Sequence, residues 1–283
     1  SYNTAIGHAA LSANTTGANN VAVGYASLDA VTTSSGNTAV GTSALGATTD
    51  TGNTAVGYNA GRDNAGGAYN VAVGYESLLV NTSGVYNVAI GNNALDANPT
   101  GGNNTAVGRI ALGANTTASN NVAVGSSALL VNTTGAGLTA VGSYALDANT
   151  TGNNGTAVGH FALSANTTGA ENTAFGTDTL KVNTTASYNS AFGRASLDAN
   201  TTGASNTAVG YAALSGNTTA ANNVGIGRDA LTANTTGAEN TAIGSYALDA
   251  NTEAHYNVAV GMSALGANTT ATHNTAVGHN SGL

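Results

Sequence analysis

The chain lacks cysteine and tryptophan, has a single proline and is poor in charge of either sign. Its 283 residues include 5 Lys or Arg and 13 Asp or Glu, for a formal net charge of −8. Without thiols it cannot form disulfides, thiolate metal sites or a cysteine nucleophile. Five scattered cations make no basic patch, so we expect no nucleic-acid partner. No apolar run approaches the ~18 residues of a membrane span, so we expect no membrane insertion.

In place of these features the sequence has an internal repeat of 17 residues. Repeats begin at 3, 20, 37, 53 and then every 17 residues up to 274, so only the repeat at 37–52 is one residue short. The consensus is Asn-[Thr/Val]-Ala-[Val/Ile]-Gly-x-x-[Ala/Ser]-Leu-x-[Ala/Val]-Asn-Thr-Thr-[Gly/Ala]-x-x, with positions numbered 1 to 17. No linker or change in composition interrupts it. We therefore predict a single repeat domain over 1–283, as a segment of a longer fibre or a unit that stacks end to end.

This pattern predicts an all-β fold, a parallel β-solenoid (β-roll) of about 16 coils with 17 residues each. Gly, Asn and Thr disfavour helices, while positions 2 to 5 alternate as in a strand. One coil cannot bury its own apolar face, but stacked coils share a continuous core. Taking the larger side chains as the buried ones, we expect positions 2, 4, 9 and 11 inside. The small Ala and Gly at positions 3 and 5 would then face outward and pack against another chain.

The Asn and Gly positions have a structural interpretation. Asn at positions 1 and 12 suits turns, and amides stacked at equivalent places can hydrogen-bond from coil to coil. Gly at position 5 is present in all seventeen copies. Such a glycine is typical of a bend, or of a close approach by another backbone segment.

The repeat also resembles known families. Ala-Val-Gly-x-x-[Ala/Ser], as at 22–27 and 259–264, resembles the head repeat of YadA-like trimeric autotransporter adhesins. The longer string Asn-Thr-Ala-Val-Gly…Ala-Leu…Asn-Thr-Thr, as at 104–117 and 206–219, is similar to repeats of phage tail-fibre proteins. The repeat of 17 residues is longer than that of the adhesin heads, and the choice between the two families stays open.

This resemblance implies a left-handed β-roll, a parallel homotrimer and a structural or adhesive role in surface attachment. The partners would be further copies of the chain, side by side or end to end, and a host-surface receptor or glycan. The protein would lie outside the cell, on a cell surface or on a virion. The alternative is a monomeric ice- or surface-binding β-solenoid, suggested by the Thr-Thr columns at positions 13 and 14.

The sequence predicts no enzyme, no cofactor and no metal site. Ser, His and Asp never recur together at stacked positions, and carboxylates do not pair around a cleft. Asp96, Asp147, Asp198 and Asp249 recur at position 10 every 51 residues. Three coils of ~4.8 Å would separate them by ~14 Å, too far to share an ion. We interpret them as traces of block duplication.

Four tyrosines in repeats 4 and 5 are the candidate recognition residues: Tyr58, Tyr69, Tyr75 and Tyr86. They lie at positions 6 and 17, outside the expected core, and exposed aromatic clusters often contact a partner or a glycan. Simple stacking between coils is the competing interpretation. In repeat 4 Gly61 replaces the usual Leu and Asp63 the usual Ala. We expect 61–67 to bulge outward, which would avoid a cavity and a buried charge.

Overall fold

The structure is a computed structural model that describes residues 2–282. These residues form short β-strands joined by turns, with no helix among them. The predicted fold class is confirmed: the chain is an all-β parallel solenoid of about sixteen coils at 17-residue spacing. It divides into two compact units, residues 1–140 and 141–283, each a stack of coils.

Seventeen strands of three residues occupy positions 2 to 4 of the repeats, and two strands of two residues lie at positions 11 and 12 of repeats 4 and 5. In the first unit they are β1 (Thr4–Ile6), β2 (Val21–Val23), β3 (Thr38–Val40), β4 (Thr54–Val56), β5 (Asp63–Asn64), β6 (Val71–Val73), β7 (Val80–Asn81), β8 (Val88–Ile90), β9 (Thr105–Val107) and β10 (Val122–Val124), with β11 (Thr139–Val141) at the boundary. The second unit has β12 (Thr156–Val158), β13 (Thr173–Phe175), β14 (Ser190–Phe192), β15 (Thr207–Val209), β16 (Val224–Ile226), β17 (Thr241–Ile243), β18 (Val258–Val260) and β19 (Thr275–Val277).

Within each unit, neighbouring strands pair in parallel and in register. Thr4 lies beside Val21 in the first unit, and Thr156 lies beside Thr173 in the second. The register survives the missing residue of repeat 3, because Thr38 still pairs with Thr54. Side chains at one repeat position therefore form columns with a spacing of ~4.8 Å.

The prediction of which strand residues face the core was wrong. Ala at position 3, such as Ala22 and Ala191, is fully buried, while positions 2 and 4 lie on the outer surface. Position 11 also faces outward, as Val131 and Val182 show. Among the predicted core positions only the Leu of position 9 is inside. The Ala column therefore cannot be a surface that another chain packs against.

The narrow coil interior explains this inversion. Ala at position 3 faces Leu at position 9 across the coil, and Gly225 shows how little room is left there. A methyl group placed on Gly225 would lie 3.1 Å from Cγ of Leu214. Since the Leu of position 9 and the small residues of positions 3 and 8 fill the space, a Val or Ile pointing inward would overpack it.

The Leu residues of position 9 adopt an unusual backbone conformation. Their φ angles lie between 48° and 55°, in the left-handed region that costs a bulky residue about 1–2 kcal/mol. Burial of each Leu side chain contributes about 1.5–3 kcal/mol and offsets that cost. A hydrogen bond to the next coil supports the conformation, as from the Leu28 N–H to the Ala44 carbonyl at 3.1 Å.

The glycine of position 5 is needed because two coils approach closely there. Gly24 has φ of +137°, and a methyl group on it would lie 2.5 Å from the carbonyl oxygen of Gly41. The expected close approach is therefore confirmed, and the backbone that approaches is the next coil of the same chain.

Two buried columns of Asn amides link the coils, as predicted. At position 12, Nδ2 of Asn200 donates to Oδ1 of Asn183 and to the Gly203 carbonyl, both at 2.9 Å. At position 1, the backbone N–H of Asn206 donates to Oδ1 of Asn189 at 2.9 Å. These side chains are fully buried. Each column, called an Asn ladder below, thus satisfies polar groups that would be costly to bury unpaired.

Repeats 1 to 3 interrupt the position 12 ladder, because Val31 and Thr48 replace Asn. Three buried polar atoms in these repeats have no hydrogen-bond partner: Asn14 Oδ1, Ser34 Oγ and Asn37 Nδ2. Asn14 Oδ1 lacks the donor that an Asn in place of Val31 would supply. For Asn37 the cause is the shortened repeat, since the carbonyl that accepts from position 1 elsewhere is displaced by one residue.

The predicted bulge at 61–67 is wrong. Gly61 has φ of +58°, like the Leu residues of this column, and its N–H donates to the Ser77 carbonyl at 2.9 Å. The Leu45 side chain occupies the space above it, since a methyl group on Gly61 would lie 2.9 Å from Leu45 Cδ2. Asp63 is not buried, because position 11 faces outward; it forms an ion pair with Arg62 at 2.7 Å. The coil thus stays regular and leaves Asp63 in solvent, as expected for that residue.

Candidate functional site

The described part of the chain shows no enclosed pocket and no cluster of three or more metal-ligating side chains, so surfaces are the candidates. The first of these is the outer side of the strands, called the strand face below. It consists of Thr, Val or Ser at position 2 and Val, Ile or Phe at position 4. The flanking columns contain the exposed aromatic and charged residues.

The strand face is the most regular apolar surface of each unit. Position 4 side chains such as Val56, Ile90, Phe175 and Phe192 are 39–41% exposed although they are large and apolar. Eight paired strands in a unit make a strip roughly 40 Å long and 10 Å wide, about 400 Å². That area is within the range of the largest apolar patch of a typical monomeric protein, and such a patch is often functional.

The four predicted tyrosines are all exposed, and the structure brings them together as two pairs. Tyr58 stacks on Tyr75 with ring centroids 5.3 Å apart, and Tyr69 stacks on Tyr86 at 5.4 Å. Tyr58 and Tyr75 follow strands β4 and β6, whereas Tyr69 and Tyr86 precede strands β6 and β8. Each ring therefore has one face against its neighbour and stays about half exposed, while the Tyr69 ring also lies close to Gly52. The tyrosine rings of neighbouring coils do stack, as the competing interpretation expected. Recognition of a partner by these rings stays a prediction.

The surroundings of the Tyr58–Tyr75 pair are acidic. Glu76, next to Tyr75, raises the pKa of the Tyr75 hydroxyl through its negative charge, and the phenol stays protonated. One carboxylate oxygen of Glu76 also accepts a hydrogen bond from the Asn59 amide at 3.4 Å. This pair therefore offers hydroxyl and carboxylate groups suited to polar, uncharged or cationic partners.

The second unit has a different aromatic surface that the sequence analysis missed. Arg194 and Arg228 both lie 5.9 Å from the ring centroid of Tyr211, at position 6 of three successive coils. Arg228 is also 5.6 Å from the ring of Tyr246, and its Nε donates to Asp229 at 3.0 Å. The signal was available, because these residues share columns at positions 6 and 7, but only the tyrosine cluster of repeats 4 and 5 was considered.

A neighbouring aromatic group lies at positions 6 and 7 of repeats 9 and 10. Tyr144 stacks on Phe161 at 5.1 Å, and His160 lies 4.1 Å from the same ring. Lys181 lies over Phe161 at 5.2 Å and pairs with Asp178 at 3.0 Å. These contacts fix long side chains at the surface, and each cation–π contact contributes about 0.5–1 kcal/mol at exposed sites.

The recurring aspartates of position 10 lie far from one another and are partly buried. Desolvation raises the pKa of Asp96, Asp147, Asp198 and Asp249. Oδ1 of Asp147 is buried without a hydrogen-bond partner. Their shared property is burial of a charge, which affects stability and brings no reacting groups together.

The Thr columns of positions 13 and 14 differ from each other. The hydroxyl of position 13 donates to the next coil, as from Thr201 Oγ1 to the Thr218 carbonyl at 2.9 Å. Thr202 and Thr219 at position 14 are exposed. Position 13 hydroxyls thus link the coils, also where the residue is exposed, as at Thr15 and Thr82. The strand face holds the other outward Thr column, at position 2.

No protein-family model matches the chain, and no curated protein matches it. No helix in the described residues is long and apolar enough to cross a membrane.

Proposed function

We propose that this protein is a structural, adhesive solenoid segment that associates with further copies of itself through the strand face. The observation that carries this proposal is the column of exposed Val, Ile and Phe at position 4. Apolar side chains in register along every strand favour burial against an equally regular surface, and a second copy of the chain provides one. This surface replaces the Ala and Gly face that the sequence suggested.

The assembly we propose is a parallel homotrimer, as in YadA-like adhesin heads and phage tail fibres, which the repeat resembles. The proposal includes a left-handed coil, a position outside the cell or on a virion, and a role in display and attachment without catalysis. The recognition surface would be the two tyrosine pairs, Tyr58–Tyr75 and Tyr69–Tyr86, facing a host-surface receptor or glycan. This proposal is supported by the exposure of the four tyrosines on a scaffold whose coils are joined by buried Asn ladders.

The assembly is tested by placing charge on the strand face. In the double variant Val56→Glu with Ile90→Glu, the carboxylates would be buried in the interface, and we expect the trimer to dissociate to monomers. The matched control is Thr100→Glu with Thr117→Glu, which adds the same charge at exposed position 14. Light scattering after size exclusion gives the mass. A monomeric native protein, or an unchanged mass in the strand-face variant, would refute this interface.

Attachment is tested separately with the Tyr58, Tyr69, Tyr75 and Tyr86 to Ala quadruple variant on an array of immobilised surface glycans. We expect the native protein to bind at least one glycan and the variant to lose it. Replacing the exposed Tyr188 and Tyr211 by Ala controls for a general loss of aromatic surface. Equal binding by all three proteins would eliminate the tyrosine pairs as the recognition site.

One observation favours the second candidate, a monomer that binds ice or another flat surface. Thr at position 2 of the strand face recurs in register beside Val, as in Thr38 and Thr54, on a surface without charge. A monomeric mass together with thermal hysteresis would support this candidate, and a trimer without hysteresis would exclude it.

A further inference from the structure

Asn154 and Gly155 form the only Asn-Gly pair in the chain. Asn154 is exposed at position 17, and Gly155 occupies position 1, immediately before the strand β12. Asn is thermolabile in proteins, and a following Gly imposes the least steric hindrance on its side chain. The relevant chemistry is attack of the next residue's backbone nitrogen on the Asn amide carbon.

The same chain contains four matched exposed Asn residues at position 17, namely Asn19, Asn103, Asn120 and Asn222. Their backbone conformation equals that of Asn154: φ is 57° for Asn103 and 56° for Asn154. In each of the four, the next residue is an Asn of the position 1 ladder. Backbone conformation and exposure therefore do not distinguish Asn154 from these residues.

The difference lies in the attacking N–H group. After the four matched residues, the backbone N–H donates to the Asn Oδ1 of the preceding repeat at 2.9–3.0 Å. For Gly155, the residue at position 1 of the preceding repeat is Leu138, whose side chain offers no acceptor. The ladder bond that holds the nitrogen elsewhere has no counterpart for Gly155.

We propose that Asn154 is the principal site of spontaneous deamidation in this protein. After the peptide between Asn154 and Gly155 rotates, the deprotonated Gly155 nitrogen attacks Cγ of Asn154, and a new N–C bond forms. The side-chain amide leaves as ammonia, which takes up the proton, and a cyclic succinimide remains. One water then opens the ring, giving aspartate or isoaspartate at this position.

The product changes the molecule in two ways. The formal net charge of −8 becomes −9 through one added carboxylate on the surface. The isoaspartate product also adds a methylene to the main chain directly before β12, where register with the next coil depends on backbone spacing. The modification would thus mark older molecules and loosen this coil.

The test compares the same dipeptide with and without the ladder bond. In Asn104→Gly, Asn103 precedes a Gly whose N–H is still held by Asn87 Oδ1, at 3.0 Å in the native protein. The native protein and the variant are incubated folded in warm, mildly alkaline buffer, and deamidation is located by peptide mapping. We expect Asn154 to react about tenfold faster than Asn103 of the variant, the factor that one hydrogen bond is worth.

Two further measurements keep the proposal falsifiable. Gly155→Asn should lower the rate at position 154 through the bulkier following residue but leave it above that of the four matched residues, because Leu138 still offers no acceptor to the N–H of residue 155. In urea-unfolded protein the two Asn-Gly pairs should react equally. If Asn104→Gly fails to fold, Asn223→Gly poses the same question, because Asn206 holds that N–H. An intact Asn154 in the folded protein, or equal folded-state rates at the two Asn-Gly pairs, would overturn the proposal.

Discussion

Repeats 1 to 3 and repeats 11 to 15 share one coil geometry but differ in how well their buried polar groups are paired. In repeats 11 to 15, each Asn of position 12 donates to the preceding one at 2.8–3.0 Å. In repeats 1 to 3 that ladder is missing at Val31 and Thr48, and three buried polar atoms lack partners. The strand register is nevertheless kept in both regions.

This difference shows that strand pairing and polar pairing are separable in a solenoid. The strands and the Leu–Ala core hold the coils in register, while the Asn ladders determine how stable each local stack is. Because a repeat protein is stabilised by neighbouring interfaces, a local defect lowers local stability without changing the fold. Repeats 2 and 3 should therefore open before other interior coils, and hydrogen exchange should show their amides as the least protected among those coils.

The largest effect is expected from the core. Leu197→Ala in the regular region should destabilise by about 2–5 kcal/mol through the cavity it leaves. Leu45→Ala should cost more, because the Leu45 side chain also fills the space above Gly61. Denaturant unfolding of the two variants measures the difference. A smaller loss for Leu45→Ala would show that the site above Gly61 collapses.

Next in size is the removal of one ladder residue. Asn200→Ala deprives Asn183 and Asn217 of their amide partners, and each unpaired buried group costs about 1–3 kcal/mol. Asn14→Ala should cost about 1 kcal/mol or less, because Oδ1 of Asn14 already lacks a partner and only one long bond, 3.2 Å to Gly17, is lost. Equal losses would contradict the role assigned to the ladder.

Restoring the position 12 ladder in repeats 1 to 3 should change the free energy of unfolding by a smaller amount, and in the stabilising direction. Val31→Asn supplies a donor for Asn14 Oδ1 and restores the consensus, so we expect stabilisation by about 1 kcal/mol. Val131→Asn at the outward position 11 is the control and should change stability by less than ~0.5 kcal/mol. Slower hydrogen exchange in repeats 1 to 3 of Val31→Asn alone would localise the gain, whereas faster exchange there would refute it.

The smallest effect is the pH dependence that comes from the partly buried aspartates. Desolvation raises the folded-state pKa of Asp147, Asp198 and Asp249 above the ordinary 3.8. The folded state therefore binds protons more tightly than the unfolded state. Their contribution to stability is fully present below the unfolded pKa and is lost as the pH rises through the folded value.

We therefore expect the second unit to become slightly more stable as the pH falls from neutral toward the ordinary aspartate range. Asp198→Asn should raise stability at neutral pH and flatten this profile. Chemical unfolding at several pH values measures this pH dependence of stability. A profile that falls with acidification in the native protein would show that other groups dominate.

Much of the fold could be predicted because the same residue types recur at the same positions of every repeat and so have the same structural role. The invariant Gly, the Leu of position 9 and the two Asn columns have the roles that their chemistry indicated. The tyrosines Tyr58, Tyr69, Tyr75 and Tyr86 were correctly placed outside the core, but their pairing depended on the stacking distance between coils. The Arg194–Tyr211–Arg228 contacts were not predicted, although these residues share position 6 of successive repeats just as Tyr58 and Tyr75 do.

The sequence by itself determined the period, the parallel stacking and the buried amide columns, since these follow from identical residues recurring at identical spacing. Only the tertiary structure decided which side of each strand faces inward. The alternation of side chains along a strand distinguishes its two faces but does not show which face is buried. The larger size of the side chains at positions 2 and 4 favoured these positions as the core, and that was wrong. The coil closes so tightly that only Ala fits opposite Leu, and this turns Val, Ile and Phe outward. The same tightness lets Leu45 cover Gly61, so the coil that seemed to need a bulge stays regular.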